Sequence, residues 1–450
     1  MNKPTLNHSL IREHNFEVLD VEGSIPEDLK GTLYRTGPGL LKRFGQSVPH
    51  PFDADGAVTA VKFQEQVYGA SKVIKSKEFL EEEKAKKFLY GTLAPWYSVI
   101  LNNLNQKIKS TGNTNILAWN HKMYALMEMS KPVEINPVTL ETNDVTDFSG
   151  QVKGAFSAHP HRVEKLKTTF NFGVRSDWID LYALPDHGSF KLLGSIKAPW
   201  EGMIHDFMVT DKHFIFFIGP VKLIKWRALL GIGDLSNYFK WEPQSGMQII
   251  VVPFNQIEKP IQISIDSFWV WHFVNAYEEN EEIIIEAIKH DGFGAFEAPS
   301  SAGPEQSMPS LHRYKINLSS KRVTDESLWK NPCEFPSVHP HFTGAKNNYI
   351  YLQTFNEDNG LGGGVAKYNC KTGEISRWLA PKEHMGCEPV FVPKNNIESE
   401  GYLLQLIQDP NINKSYLAII NANDIDGGLL AKVWFDDPKP MTYHGIFVKA

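Results

Sequence analysis

Cysteine is scarce. The 450-residue chain has three, Cys333, Cys370 and Cys387, and no C-x-x-C pair. Zinc ribbons and thioredoxin-like redox sites both need that pair, so neither is available. The sparse, odd count suits a reducing compartment. A basic surplus is lacking too: Lys+Arg is 46 against Asp+Glu 52, a net charge of -6. Nothing is left over to neutralise a phosphate backbone, which removes nucleic acid as a partner. Long apolar runs are missing as well. Phe214 to Ile218 and Ile249 to Phe254, the latter broken by Pro253, fall far short of the roughly 20 residues of a spanning helix. The first residues have no apolar core of a secretory signal. The expected place is the cytoplasm, or a membrane surface that the chain touches without crossing. No protein partner is evident.

What is present is β structure from end to end. Asn115–Trp119, His213–Ile218, Glu282–Ile288, Asn348–Phe355, Gly401–Ile407 and Ser415–Ile420 are short and β-rich. Turn chemistry separates such runs at Asp186-His-Gly, Asp291-Gly, Lys371-Thr-Gly and Asp426-Gly-Gly. Many short strands with few helical stretches predict an all-β sandwich, barrel or propeller. No clean repeat selects among them. No linker or low-complexity stretch divides the chain, so residues 1–450 are expected to form one domain. Composition fits a large globular core, with 42% apolar and 22% charged residues.

Two stretches depart from the β pattern. Tyr97, Ile100, Leu101, Leu104 and Ile108 follow helical spacing over 97–109, and Leu223, Ile224, Trp226, Leu229 and Leu230 alternate with Lys222, Lys225 and Arg227 over 221–232. Both predict amphipathic helices. Each packs over the β core or presents a basic-edged apolar face to a membrane interface, as an enzyme for lipid-dissolved substrates requires. The run Glu81 to Lys87 reads as a solvated helix face. Gly360-Leu-Gly-Gly-Gly364 fails the dinucleotide fingerprint, because Val365 holds the final glycine position, and it reads as a turn. No nucleophile elbow, HExxH or deaminase signature occurs.

Histidine, by contrast, is plentiful, with 16 in the chain. Four stand out by context: His159 in Phe156-Ser-Ala-His-Pro, His205 in Met203-Ile-His-Asp-Phe, His272 in Trp271-His-Phe-Val-Asn-Ala-Tyr-Glu278, and His444 in Tyr443-His-Gly. None has another as a close sequence neighbour, so a metal site using them must be assembled by the whole fold. A closed ring of blades does this, because the inner strands end around one axis.

These segments carry a resemblance. Together with Gly31-Thr-Leu-Tyr-Arg-Thr-Gly-Pro38, His50-Pro-Phe-Asp-Ala-Asp-Gly56, Glu334-Phe-Pro336 and Cys387-Glu-Pro-Val-Phe391, they make the chain similar to the carotenoid cleavage oxygenase family from residue 31 onward. The resemblance implies a seven-bladed β-propeller with a helical and loop cap over one face. It implies one mononuclear Fe(II) per chain, held by His159, His205, His272 and His444. It also implies glutamates behind three of these rings: Glu128 with His205, Glu334 with His272, and Glu388 with His444. O2 is the implied co-substrate.

The donor chemistry agrees with iron. Four neutral imidazoles suit Fe, Zn or Cu. Zinc with four protein donors is a closed tetrahedral site, whereas octahedral Fe(II) keeps two positions open. Carboxylates accepting Nδ1–H from the rings would offset the 2+ charge and fix each tautomer.

Three positions depart from the family pattern. Ala54 replaces a glycine in His50–Gly56, which affects turn geometry because alanine has fewer accessible conformations. His339 and His341 stand near the second glutamate and are the rivals for a ligand place. Stilbene-cleaving members of the family carry a lysine just before the first glutamate; here Met127 takes that position, and its apolar, polarisable side chain favours a polyene. The expected activity is oxidative cleavage of a C=C bond of a carotenoid or apocarotenoid into two carbonyl fragments. The alternatives are stilbene cleavage at the same metal, a polyene-binding propeller without turnover, and isomerisation or hydrolysis on the same scaffold.

Overall fold

The computed structural model describes residues 8–293, 308–355 and 362–450. Its strands form seven antiparallel sheets of four or more strands, the blades of a propeller, plus two small two-stranded ribbons. Each β-rich run named above forms a strand, and alternate residues along it face the neighbouring blade. Phe214 and Phe216 meet Phe172 and Leu181 of the preceding sheet, while Ile215 and Phe217 meet Phe273 and Ile285 of the following one. Period-two burial on both faces is why these strands read as continuous apolar runs. The core is therefore a set of apolar wedges between blades.

Blade one closes the ring. It holds Gly31–Leu40, Asp55–Phe63, Val67–Val73 and His14–Val18, with His444–Lys449 added on its inner edge in the register Thr36 to His444. Blades two to six follow in chain order, running Asn115–Val145, His161–Lys197, Met208–Ile265, Trp269–Trp329 and Cys333–Leu379. Blade seven ends at Leu429–Trp434, and Asp20–Gly23 pairs with that edge. Both ends of the described chain thus complete sheets formed by the opposite end.

Hairpins turn tightly at Asn120-His121 and Asn280-Glu281, where all four residues have positive φ between 50 and 65°. That is the conformation of a two-residue primed turn, and asparagine is the residue other than glycine best suited to it. Ala54 lies at φ -72°, ψ 147°, extended backbone that any residue adopts, so the departure from glycine leaves the turn intact. Of Gly360–Gly364, the first two residues lie outside the described residues, and Gly364 begins a strand.

Among the described residues three α-helices interrupt the blades. Helix α1, Lys77–Ala85, follows blade one and is capped by the Ser76 hydroxyl accepting from Phe79 N–H. Helix α2 is Trp96–Leu104 and α3 is Lys225–Leu230. The helix expected over 221–232 is shorter than its periodicity suggests. Val221–Leu223 is instead a strand paired with Phe239–Trp241, because Val221 and the partner aromatics Phe239 and Trp241 pack with Trp269 and Trp271. The charged run on α1 differs as well. Glu82 is fully buried rather than solvated, and it takes Arg43 and Lys109 as partners at 2.7 Å each.

Candidate metal centre

Each blade contributes one residue to the axis. His444 opens the inner strand of blade one, and Glu128 follows the second strand of blade two. His159 and His205 precede the inner strands of blades three and four. His272 and Glu334 lie within the inner strands of blades five and six, and Glu388 sits between the two inner segments of blade seven. Four histidines and three glutamates, scattered through the sequence, are brought together by ring closure alone.

The four rings are buried, each at most 9% exposed. Nitrogens of His159, His205 and His272 lie within 4.8 Å of one another. His444 stands outside that tightest group, but its ring centroid is 4.8 Å from that of His159 and 4.9 Å from that of His272. The three carboxylates sit behind the rings. His272 Nδ1 is 2.6 Å from Glu334 and His444 Nδ1 is 2.9 Å from Glu388, while His205 Nδ1 pairs with Glu128. Among the described residues His159 has no carboxylate of its own; Glu128 is 3.9 Å from its Nε2.

The electrostatics follow from burial and pairing. Burial pushes the Glu334 carboxyl up, but His272 and His290 outweigh it and hold the group well below the usual carboxylate range. Glu388 is likewise pushed up by burial and brought below its ordinary value by His444 and Arg35. Burial, then the three neighbouring rings, drive the His159 proton affinity well down. A carboxylate only accepts, so His272 and His444 carry their proton on Nδ1 and turn an Nε2 lone pair inward. His205 and His272 then oppose their Nε2 atoms at 3.5 Å, and His159 Nε2 is buried without a hydrogen-bond partner among the described residues. Inward lone pairs this close together and buried repel one another unless a cation lies among them. The residues present therefore fit a divalent metal with imidazole preference, iron included.

Other buried groups hold these residues in place, and the sequence patterns had not marked them. Arg35 donates to Thr442 Oγ1 at 2.8 Å, to the Glu388 carbonyl at 2.8 Å and to the Tyr443 carbonyl at 3.1 Å. Asp206 accepts from Phe207 N–H and Phe273 N–H at 2.8 and 2.9 Å and meets His161 Nε2 at 2.8 Å. It thereby ties the backbone beside His205 and His272 to the side chain of His161, two residues after His159. Both residues lie inside the segments quoted above, but nothing local distinguishes them. Gly445 is required: its N–H donates to Glu388 at 2.9 Å, and an added Cβ would lie 2.6 Å from the Tyr34 carbonyl oxygen. Of the rivals, His339 is buried elsewhere with Nε2 on the Asn395 carbonyl at 2.8 Å, and His341 packs against it. Met127 is half-buried, its sulfur 3.1 Å from the Thr111 hydroxyl.

An apolar wall flanks the rings. Trp271 stands edge-on to His205 with centroids 4.6 Å apart, and Phe335 lies 4.9 Å from His272 and 5.4 Å from His444. Trp269, Phe293, Tyr238 and Phe239 extend that wall toward the insertion carrying α3.

A seven-bladed ring with imidazoles converging on its axis defines a class of propeller oxygenases, and comparison with known proteins agrees. The family model described as retinal pigment epithelial membrane protein matches residues 8–449. Apocarotenoid-15,15'-oxygenase of Synechocystis sp. is 31% identical, covering 96% of this chain and 93% of that protein. Resveratrol cleavage oxygenase 1 of Aspergillus fumigatus is 27% identical over 92% of this chain and 88% of that one. A solved structure of a Synechocystis apocarotenoid oxygenase mutant superposes with a TM-score of 0.91 at 28% identity, covering 99% of this chain and 98% of that one. The chain belongs to this family, the carotenoid cleavage oxygenases, and is an oxidative cleavage enzyme.

Proposed function

We propose that the protein is an Fe(II)-dependent dioxygenase that cleaves one C=C bond of a carotenoid or apocarotenoid, with both carbonyl oxygens drawn from O2. The observation that carries this reading is the set of four buried imidazoles, three of them backed by carboxylates, beside an aromatic wall. His159, His205, His272 and His444 would hold one ferrous ion. Bound there, the ion would supply O2 activation. The chain's own residues do the rest. Glu128, Glu334 and Glu388 orient the rings. Trp271 and Phe335 present apolar faces beside them, excluding water and fixing which double bond sits over the centre. Met127, in place of a cationic side chain, offers nothing to pair with a phenolate, which favours a polyene over a stilbene.

An aerobic assay on apocarotenals, carotenes and hydroxylated stilbenes, run with 18O2 and read by product mass, tests this. Labelled polyene aldehydes are expected. Faster cleavage of the stilbene overturns the substrate. Intact polyene bound to iron-replete protein points to a binder, and unlabelled product points to isomerisation or hydrolysis.

We further read residues 1–450 as one domain, supported by the reciprocal pairing of the two ends. No helix among the described residues is long and apolar enough to cross a membrane. Helices α2 and α3 nevertheless pack together, with Asn103 Nδ2 donating to the Ala228 and Leu229 carbonyls at 3.0 and 3.1 Å. They expose Trp96, Leu101, Leu104, Trp226, Leu229 and Leu230, each 40% or more. This supports peripheral docking to a lipid surface. Replacing Leu104, Trp226 and Leu230 with Ser is expected to abolish liposome co-sedimentation while sparing iron content, and unchanged binding refutes it.

A further inference from the structure

The three carboxylates behind the rings are not equivalent. Glu388 faces a permanent cation, with Arg35 Nη1 at 3.7 Å. The ion pairs of Glu128 among the described residues are to imidazoles of the centre itself, His205 and His159. Glu334 is held differently. One oxygen, Oε2, takes His272 Nδ1 and Phe335 N–H, both at 2.6 Å, and the other, Oε1, takes Nε2 of His290 at 2.7 Å. His290 is not one of the four rings at the axis. It ends the strand Glu282–His290, whose register sets it opposite Trp269, three residues before His272 on the adjacent strand.

We propose that His290 is a positioning residue for the metal centre, holding the Glu334 carboxylate against His272 and setting how much negative charge that carboxylate lends to the ring. This rests on the metal reading above. Glu334 is only 7% exposed, so an Oε1 without a donor is a buried anionic oxygen without compensation. Such a carboxylate turns toward another donor, and its grip on His272 Nδ1–H weakens. The imidazole is suited to the task where arginine is not. An imidazole donates a single hydrogen bond to Oε1 and leaves Oε2 to His272 and Phe335, whereas the guanidinium fork is shaped to engage both oxygens of a carboxylate. The ordered pair of strands beneath fixes the separation, so the contact needs no mobile loop.

His290→Leu removes the donor, and His290→Gln keeps an N–H near the same place. The measurement is Fe(II) affinity by chelator competition, together with the EPR spectrum of the ferrous–nitrosyl adduct, which reports the ligand field and not the fold. His290→Leu is expected to weaken Fe(II) binding about tenfold, the lower end of what second-layer partners contribute, and to shift the spectrum. His290→Gln is expected to stay within about threefold of the parent. Unchanged affinity and spectrum in His290→Leu overturn the proposal, as does a His290→Gln variant that loses as much as His290→Leu. If His290→Leu does not fold, His290→Phe, which conserves the ring volume, takes its place. The parent protein and His272→Ala separate this from the reading it rests on. A parent that binds no iron, or a His272→Ala variant that binds it equally well, defeats the centre itself.

Discussion

At the scale of single residues, the chemistry of the centre depends on which nitrogen of each ring carries a proton, and buried carboxylates decide that. The pairs Glu128–His205, Glu334–His272 and Glu388–His444 are each in contact. The sequence carried these residues through flanking motifs, since each histidine and glutamate sits in a short distinctive segment. Arg35, Asp206 and His290 were not legible. Their partners come from other blades, and no local pattern reports a contact made across the ring. Asp53 is a further residue whose state follows from its surroundings. Burial pushes its carboxyl up to about 6, opposed by the bond from Thr92 and aided by nearby Asp234. A carboxyl with a raised folded value contributes stability when protonated, so its contribution is present below pH 4 and lost as pH rises through about 6. Asp53→Asn, which stays neutral and keeps an acceptor for Thr92, is therefore expected to melt higher than the parent at pH 8. The two should converge near pH 4. A gap that does not change between those pH values would contradict the assignment.

At the scale of elements, the strands were readable because burial on both faces produces apolar runs with turn residues at their ends. The helices were less so. Periodicity over 221–232 could not reveal that Val221–Leu223 finds an edge partner in Phe239–Trp241, and tertiary pairing overrides helical spacing there. Helix α1 shows the same limit for charge. Its acidic run hides Glu82, whose carboxylate takes Arg43 and Lys109 with one oxygen and the Leu89 and Tyr90 N–H groups with the other. Lys109 also reaches Asp55 at 2.5 Å. This cluster pins both ends of the segment that carries α2. Removing one member leaves its partners charged and buried, which costs about 3–5 kcal/mol. Glu82→Ala is expected to destabilise the protein by that order in urea titration and to speed proteolysis between residues 86 and 108. Cleavage at the parental rate would show that the segment is anchored elsewhere.

At the scale of the whole molecule, the number of blades could not be read from spacing, because the blades share no sequence repeat. It was legible only through family resemblance. In physical terms, closure depends on contacts between the two ends of the chain, and no window of sequence contains them. The same closure would make binding of the proposed iron a property of the entire ring. An ion that binds the native state alone adds stability as RT ln(1 + [L]/Kd), about 2.7 kcal/mol at a hundredfold excess over Kd. Stripping metal with a chelator is expected to lower the melting temperature of the parent and to leave His272→Ala unaffected. Equal shifts in both would argue against a shared centre.

His444 sits in the strand that completes blade one, and it follows the other six axial residues in chain order. During synthesis it is the last of the seven to emerge. A nascent polypeptide can present three imidazoles but never the fourth, so the full donor set exists only after translation has passed that strand. If the four rings hold the proposed ion, complete loading would wait until the ring is free to shut, and a half-made chain would lack the full cage.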